Sequence, residues 1–444
     1  MLASPAIPTP EAITPRARRA WAAAAAGLAL HFLAAAWVFA PALFGGRMLY
    51  LRDVSTYFYP NLVFLERSLG AFVLPLWHPG ADAGAPFLLL YPVDLVLVAL
   101  FGARGALAMG PVLHTVIASV GAAALGRRLG LGVPAAWTCG LVFALSGFML
   151  SAVNLIPLHQ AAAWAPWVVL AALACAARPA PATAALLAVA LALQVSTLAG
   201  EIVLQTAALA AVLTWRRAGR RGMAAMVSAC GVAALLAAPV LLGAAALMKD
   251  TRRDVGFSAE EALFGSATPV ELAGMVLPRF FGDMHTFTNV GFWGHALFAG
   301  GFPYLLSLYA GLAAFTLALA AGRDRLWWLV AAGILLALGA HGPLAAPLGA
   351  MGIFRAPVKF LFLAALGLAL LAGRGLDRSL LRRAHWTVIV PAAAAVMLAY
   401  ADRTPIPTEA VPYWAETLAC IGLEHCGGDI RDRVIAGTDG PGGP

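Results

Sequence analysis

The feature that most constrains this chain is a series of apolar runs, each near the length needed to cross a bilayer and most of them bounded by arginine. A hydrocarbon core about 30 Å thick needs roughly 20 helical residues. Runs at or near that length fall at 20–44, 106–126, 134–152, 160–177, 182–199, 202–215, 223–247, 301–321, 326–341, 358–373 and 386–400. The pattern predicts an all-α, polytopic integral membrane protein with about 11 transmembrane helices. Composition agrees, with 62% hydrophobic and 11% charged residues and a mean hydropathy of +0.85. Soluble domains carry roughly 45–50% apolar and 25% charged residues. A chain this poor in charge cannot clothe itself in polar surface, which excludes cytosolic enzymes, secreted disulfide scaffolds and nucleic-acid modules. The net charge of +8 is no footprint of nucleic acid, because the arginines lie between apolar runs rather than on one face.

Orientation follows from those arginines. With the N-terminus in the cytoplasm, Arg16, Arg18, Arg19, Arg127, Arg128, Arg178, Arg216, Arg217, Arg220, Arg221, Arg323, Arg325, Arg374, Arg378, Arg382 and Arg383 all fall inside, in short connections. Only Glu11, Asp324 and Asp377 join them there. The first run exceeds the roughly 7–15-residue apolar stretch of a signal peptide, so it is expected to remain as an anchor. The chain then divides into a cytoplasmic segment 1–19, a transmembrane domain 20–400 and a short exoplasmic tail 401–444. That tail ends in a Gly/Pro-rich stretch expected to be partly disordered; its Cys420 and Cys426 suit a local disulfide. Long exoplasmic loops at 45–105, 248–300 and 342–357 suit chemistry at the outer membrane surface. Phe87–Phe101 is apolar but interrupted by Pro92 and Asp94, and reads as a juxtamembrane or re-entrant helix.

Several residues in those loops carry chemistry. Asp53 lies just past the first run beside Arg52, and reads as a solvated loop acid, as a partner of Arg52, or as a functional carboxylate. Glu201 opens a short run of about 21 Å at 1.5 Å per residue. It is either a helix-start acid favoured by the dipole or a carboxylate drawn to membrane depth, where ionisable groups are functional candidates. Arg355 and Lys359 stand four residues apart where the tenth run begins, and Lys359 is one of only two lysines. They read as snorkelling to lipid headgroups or as a phosphate-holding pair. Tyr57, Trp77, Asp283, His285 and Trp293 supply the aromatic faces and hydrogen-bonding groups that sugar rings need. Asp283 and His285 lack a third ligand at characteristic spacing, so no metal site is expected from them.

LRDVSTYFYP, with its acid and "YP", followed by GAFVLPLWHPGADAGAPF, resembles the YfhO-type family of bacterial membrane proteins, within the GT-C superfamily of glycosyltransferases. LPRFFGDMHTFTNVGFWGHALFAGGFPYLL and FRAPVKFLFLAALGLALLAGRGLD resemble two later segments of that family, in the same order. The resemblance implies a GT-C-like domain in the bacterial inner membrane. It implies a polyprenyl-phosphate-linked sugar donor, a cell-envelope acceptor and an inverting transfer at the outer leaflet. It places Asp53 at the reaction centre as general base or as a metal-assisting carboxylate, with room for a divalent cation and no other cofactor assigned. Glu201 would support it and Arg355 with Lys359 would hold the donor phosphate. Members of that family usually run longer, which leaves room for a partner in a glycosylation complex. Two other readings predict different behaviour: a transporter or flippase for a lipid-linked sugar, which should show paired broken helices at the midplane, and a non-catalytic membrane scaffold.

Overall fold

The computed structural model describes residues 15–49, 51–81, 84–249, 252–277, 281, 298, 303–352 and 354–382, the side chains of 15–23, 252, 253, 381 and 382 apart. Described residues are mostly helical, with one two-stranded ribbon among them. The principal helices are α1 (Pro15–Val38), α2 (Tyr59–Gly70), α3 (Pro92–Arg128), α4 (Val133–Ala144), α5 (Ile156–Ala177), α6 (Pro181–Val195), α7 (Gly200–Thr214), α8 (Arg220–Leu236), α9 (Ala238–Met248), α10 (Leu312–Ala320), α11 (Leu326–Ala337) and α12 (Leu361–Arg382). Proline opens several of them, at Pro92, Pro134, Pro157 and Pro181, where its missing N–H costs nothing. Arg127 and Arg128 close α3, complementing its dipole.

Three of the described helices are long and apolar enough to cross a membrane: Pro92–Arg128, Ile156–Ala177 and Pro357–Leu380. Helices α8 and α9 meet at 70° and make a fourth if taken as one bent span. Large apolar side chains stand exposed on the outer faces of the bundle, among them Leu33, Trp37, Leu186, Val212, Leu235 and Leu242. A surface of that kind belongs in lipid, so the chain is a membrane protein.

The expected count of about 11 crossings does not follow from the described helices, because several apolar runs are broken. The run at 134–152 stops after α4 and restarts at Gly147–Ala152. Of the run at 301–321, only Leu312–Ala320 is helical among the described residues. These two breaks explain each other. The Gly147 N–H donates to the Tyr309 carbonyl at 2.7 Å, and the Ala310 N–H to the Met275 carbonyl at 2.9 Å. Ser151 Oγ donates to the Ser307 carbonyl and accepts from the Ser307 N–H, at 2.9 and 2.7 Å. Irregular backbone survives inside an apolar bundle only when its polar groups are met in this way. Apolar content alone could not reveal that exchange. The run at 386–400 lies outside the described residues.

Within 87–101, residues 87–91 are not helical and α3 begins at Pro92. It then breaks at Gly102 (φ 69°, ψ 178°) and resumes. A side chain at Gly102 would meet the Glu66 carboxylate, whose Oε2 accepts the Ala103 N–H at 2.9 Å. An acid on α2 thus caps the restarted half of α3. Helix α3 also packs on α4 and α5, with buried polar side chains between its N-terminal end and α5. Gln160 Nε2 donates to both Asp94 oxygens at 2.9 Å. Trp164 Nε1 donates to the Tyr91 hydroxyl at 2.6 Å, which lies 2.8 Å from His114 Nε2. Such interhelical bonds hold helices together where lipid removes the hydrophobic drive. Helix α12 is the central element, buried against α4, α10 and α11.

Candidate functional site

A cavity of about 1150 Å³ opens where the segments preceding α2 and α12 meet the loop 259–271. Asp53, Arg355 and Lys359 all line it, as do Glu260, Glu271, Tyr304 and His341. Three residues proposed from sequence are therefore brought to one void from positions some three hundred residues apart.

The wall carrying Asp53 is locally unusual. Arg52 has a left-handed backbone (φ 58°), and Asp53 begins a π-helical turn, Val54–Phe58. Both features cost energy in a residue with a Cβ and concentrate at functional positions. Val54 and Phe58 are buried and anchor the turn in the core, leaving Asp53 exposed to the cavity. Arg52 does not pair with it. Its guanidinium donates to the carbonyls of Tyr304 and Pro303, at 2.7 and 2.8 Å, and lies 5.6 Å from the Tyr304 ring centroid. Among the described residues the Asp53 carboxylate has no hydrogen-bond or ion-pair partner.

The facing wall is Arg355 to Lys359. Ala356 is left-handed (φ 57°), and Pro357 starts a short 3₁₀ turn leading into α12. The Val358 N–H donates to the Gly265 carbonyl at 3.2 Å. Gly265 (φ 72°) lies so close that a Cβ there would touch Ala356. Arg355 is exposed and stacks over the Phe264 ring at 5.4 Å, with no ion pair among the described residues. Lys359 is placed differently from the sequence expectation. Its Nζ donates to Glu201 Oε1 at 2.8 Å and sits 5.5 Å from the Tyr304 ring. The two therefore form an ion pair; Lys359 lines the cavity and Glu201 is not among the cavity-lining residues.

Glu271 is the group that sequence reasoning missed. It is 4% exposed, with Oε2 accepting the Thr268 N–H at 3.2 Å while Thr268 Oγ1 accepts the Glu271 N–H at 3.1 Å. Burial raises its pKa to about 7, against the smaller opposing effect of the Thr268 bond. The spacing Thr268-x-x-Glu271 is a legible capping box; its burial beside a cavity is not.

Tyr57 and Trp77 do not line the cavity. The Trp77 ring lies over Gly84, which is left-handed at φ 107° and could not carry a Cβ there. Trp77 pairs with Pro86 and His78 with Ala85 in the antiparallel ribbon. The PLW-x-P and G-x-P elements thus build a hairpin in this chain. Asp283, His285 and Trp293 lie outside the described residues, as do Cys420 and Cys426. Among the described residues no three His, Cys, Asp or Glu side chains converge as metal ligands.

The cavity therefore offers a carboxylate without a partner among the described residues, a guanidinium over the Phe264 ring, a buried carboxyl whose pKa is raised to about 7, and the further rings of Phe298 and Tyr304. Such a set can accept a proton, hold an anion and support a sugar ring. No family model matches the chain, and no curated protein matches it. Among solved structures, the cryo-EM structure of arabinofuranosyltransferase AftD from Mycobacteria is similar at 19% identity and a TM-score of 0.48. That likeness covers 90% of this chain and 26% of the other, and it is too slight to bear on the function of this one.

Proposed function

We propose that this chain is a membrane glycosyltransferase that moves a sugar from a polyprenyl-phosphate donor to a cell-envelope acceptor at the outer face of the bacterial inner membrane. The observation that carries the reading is the juxtaposition of Asp53 and Arg355 in one cavity, each without an ionic partner among the described residues. The motif resemblance in three separated segments supports the reaction class. An acceptor hydroxyl attacking an anomeric carbon must lose its proton, and a carboxylate within hydrogen-bond reach can take it. Asp53 fills that role. Arg355 holds the donor phosphate through its planar fork and neutralises charge as the phosphate departs with the bonding electrons. Because phosphate is a good leaving group, one base suffices and the sugar inverts. Lys359, held by Glu201, sets the shape of the wall beside Arg355.

The test is reconstitution of purified protein in liposomes with a panel of radiolabelled polyprenyl-phosphate sugars and envelope glycan acceptors. Formation of a new glycosidic bond with at least one donor is expected. Movement of donor lipid across the bilayer without such a bond would contradict the proposal and favour a transporter.

A further inference from the structure

The connection between α2 and the ribbon is an exposed apolar projection. Phe72 is 99% exposed, Val73 55%, Leu74 53%, Leu76 63% and Trp77 55%. No charged residue interrupts the stretch from Gly70 to Trp77. Its backbone is pinned at both ends. The Phe72 N–H donates to the Leu69 carbonyl and the Val73 N–H to the Ser68 carbonyl, both at 2.9 Å, while the Leu76 carbonyl accepts the Phe87 N–H at 2.9 Å. Phe72 is held in the left-handed region at φ 57°, so the fold presents this ring outward at a cost in backbone strain.

Three further observations say what covers it. The first half of α3, which packs on α2, also exposes Val96, Leu100 and Phe101, and α3 is one of the helices able to span a membrane. The projection therefore adjoins a lipid-facing helix. Cations flank it: Arg67 is exposed five residues before Phe72, and Arg104 is exposed just past the Gly102 break. Basic residues beside an apolar, aromatic-tipped segment match the layering of headgroups over acyl chains. We propose that residues 71–77 form a wedge inserted into the bilayer leaflet adjoining the Asp53 cavity, with Phe72, Leu74 and Leu76 among the acyl chains and Arg67 and Arg104 at the phosphates. The wedge and Asp53 lie at opposite ends of α2, whose 12 residues span about 18 Å. Seating the wedge therefore limits how far Asp53 can lie from the leaflet. This inference does not depend on the reaction proposed above.

The experiment places a spin label at Phe72→Cys, Leu74→Cys or Leu76→Cys, in the full chain with Cys139, Cys175, Cys230, Cys420 and Cys426 replaced by alanine. Each protein is reconstituted in vesicles of phosphatidylcholine and phosphatidylglycerol, and Asp254→Cys serves as a water-facing reference. Collision with oxygen, which concentrates in lipid, is compared with collision with a water-soluble nickel chelate. Labels at the three wedge positions should favour oxygen several-fold, with the opposite preference at the reference. Preference for the chelate at the wedge positions would overturn the proposal. So would immobilised labels that meet neither collider, since these would show that protein covers the patch. All three substitutions are at exposed side chains, so agreement among them separates the wedge from misfolding of any single variant.

Discussion

The two ends of α12 make an instructive comparison. At one end Asp324, from the turn between α10 and α11, is bound by Arg374 and lies 3.5 Å from Arg378. The Leu326 N–H also donates to it, at 3.0 Å. Nearby, Asp377 accepts the Gly132 N–H at 2.7 Å. Burial alone would raise the Asp324 pKa, but the hydrogen bonds from Arg374 and Leu326 and the two arginine charges outweigh it and hold the group below its ordinary value. Both acids there are engaged in joining α12 to its neighbours. At the other end, among the described residues, Lys359 and Glu201 are matched in this way. Asp53 and Arg355 line the same void with no ionic partner among the described residues. Similar residue types thus stand in different settings: one end latches helices, and at the other opposite charges line a cavity without ionic partners among the described residues.

That contrast can be broken in three ways, beginning with the largest effect. Asp53→Asn removes proton acceptance with little change in shape, and transfer should fall by about 10²–10⁴-fold while thermal stability in detergent stays unchanged. Loss of stability with activity intact would place Asp53 with the latch. The second test concerns Glu271. Unfolded, it releases its proton near its ordinary value of 4.5; folded, it keeps that proton to about 7. The resulting stabilisation is complete below pH 4.5 and is lost as pH rises through about 7. The change amounts to about 3 kcal/mol, taking 1.36 kcal/mol per pKa unit. Denaturant unfolding of Glu271→Gln should lack this decline; an identical decline would show that Glu271 does not cause it. The smallest effect belongs to the latch. Asp324→Asn should cost about 1–3 kcal/mol at neutral pH, and wild type should lose the same contribution on acidification through the lowered Asp324 pKa. Transfer at temperatures well below unfolding should not change.

The comparison also shows what the sequence made legible. The membrane class followed from apolar runs; Arg355 and Lys359 stood out because they lie one turn apart at a span end and lysine is scarce, while Asp53 stood out through the motif resemblance around it. Pairings across long separations were not legible. The Lys359–Glu201 ion pair joins residues 158 positions apart, and no local pattern distinguishes a lysine held by a distant acid from one awaiting phosphate. Arg52 looked like a neighbour for Asp53, yet its side chain reaches carbonyls about 250 residues away. The apolar runs at 134–152 and 301–321 hid their breaks because the exchange of backbone bonds between Gly147 and Tyr309 leaves no trace in hydropathy. Glu271 showed its capping box but not its burial, which depends on tertiary packing that no local spacing records.

The central claim is that Asp53 and Arg355 act on one substrate in one cavity, and a double-mutant cycle in transfer rate tests it most directly. Groups that act as a unit give strongly non-additive losses. Asp53→Asn combined with Arg355→Gln should therefore be scarcely slower than Asp53→Asn alone. A double variant whose loss equals the product of the two single losses would contradict the account.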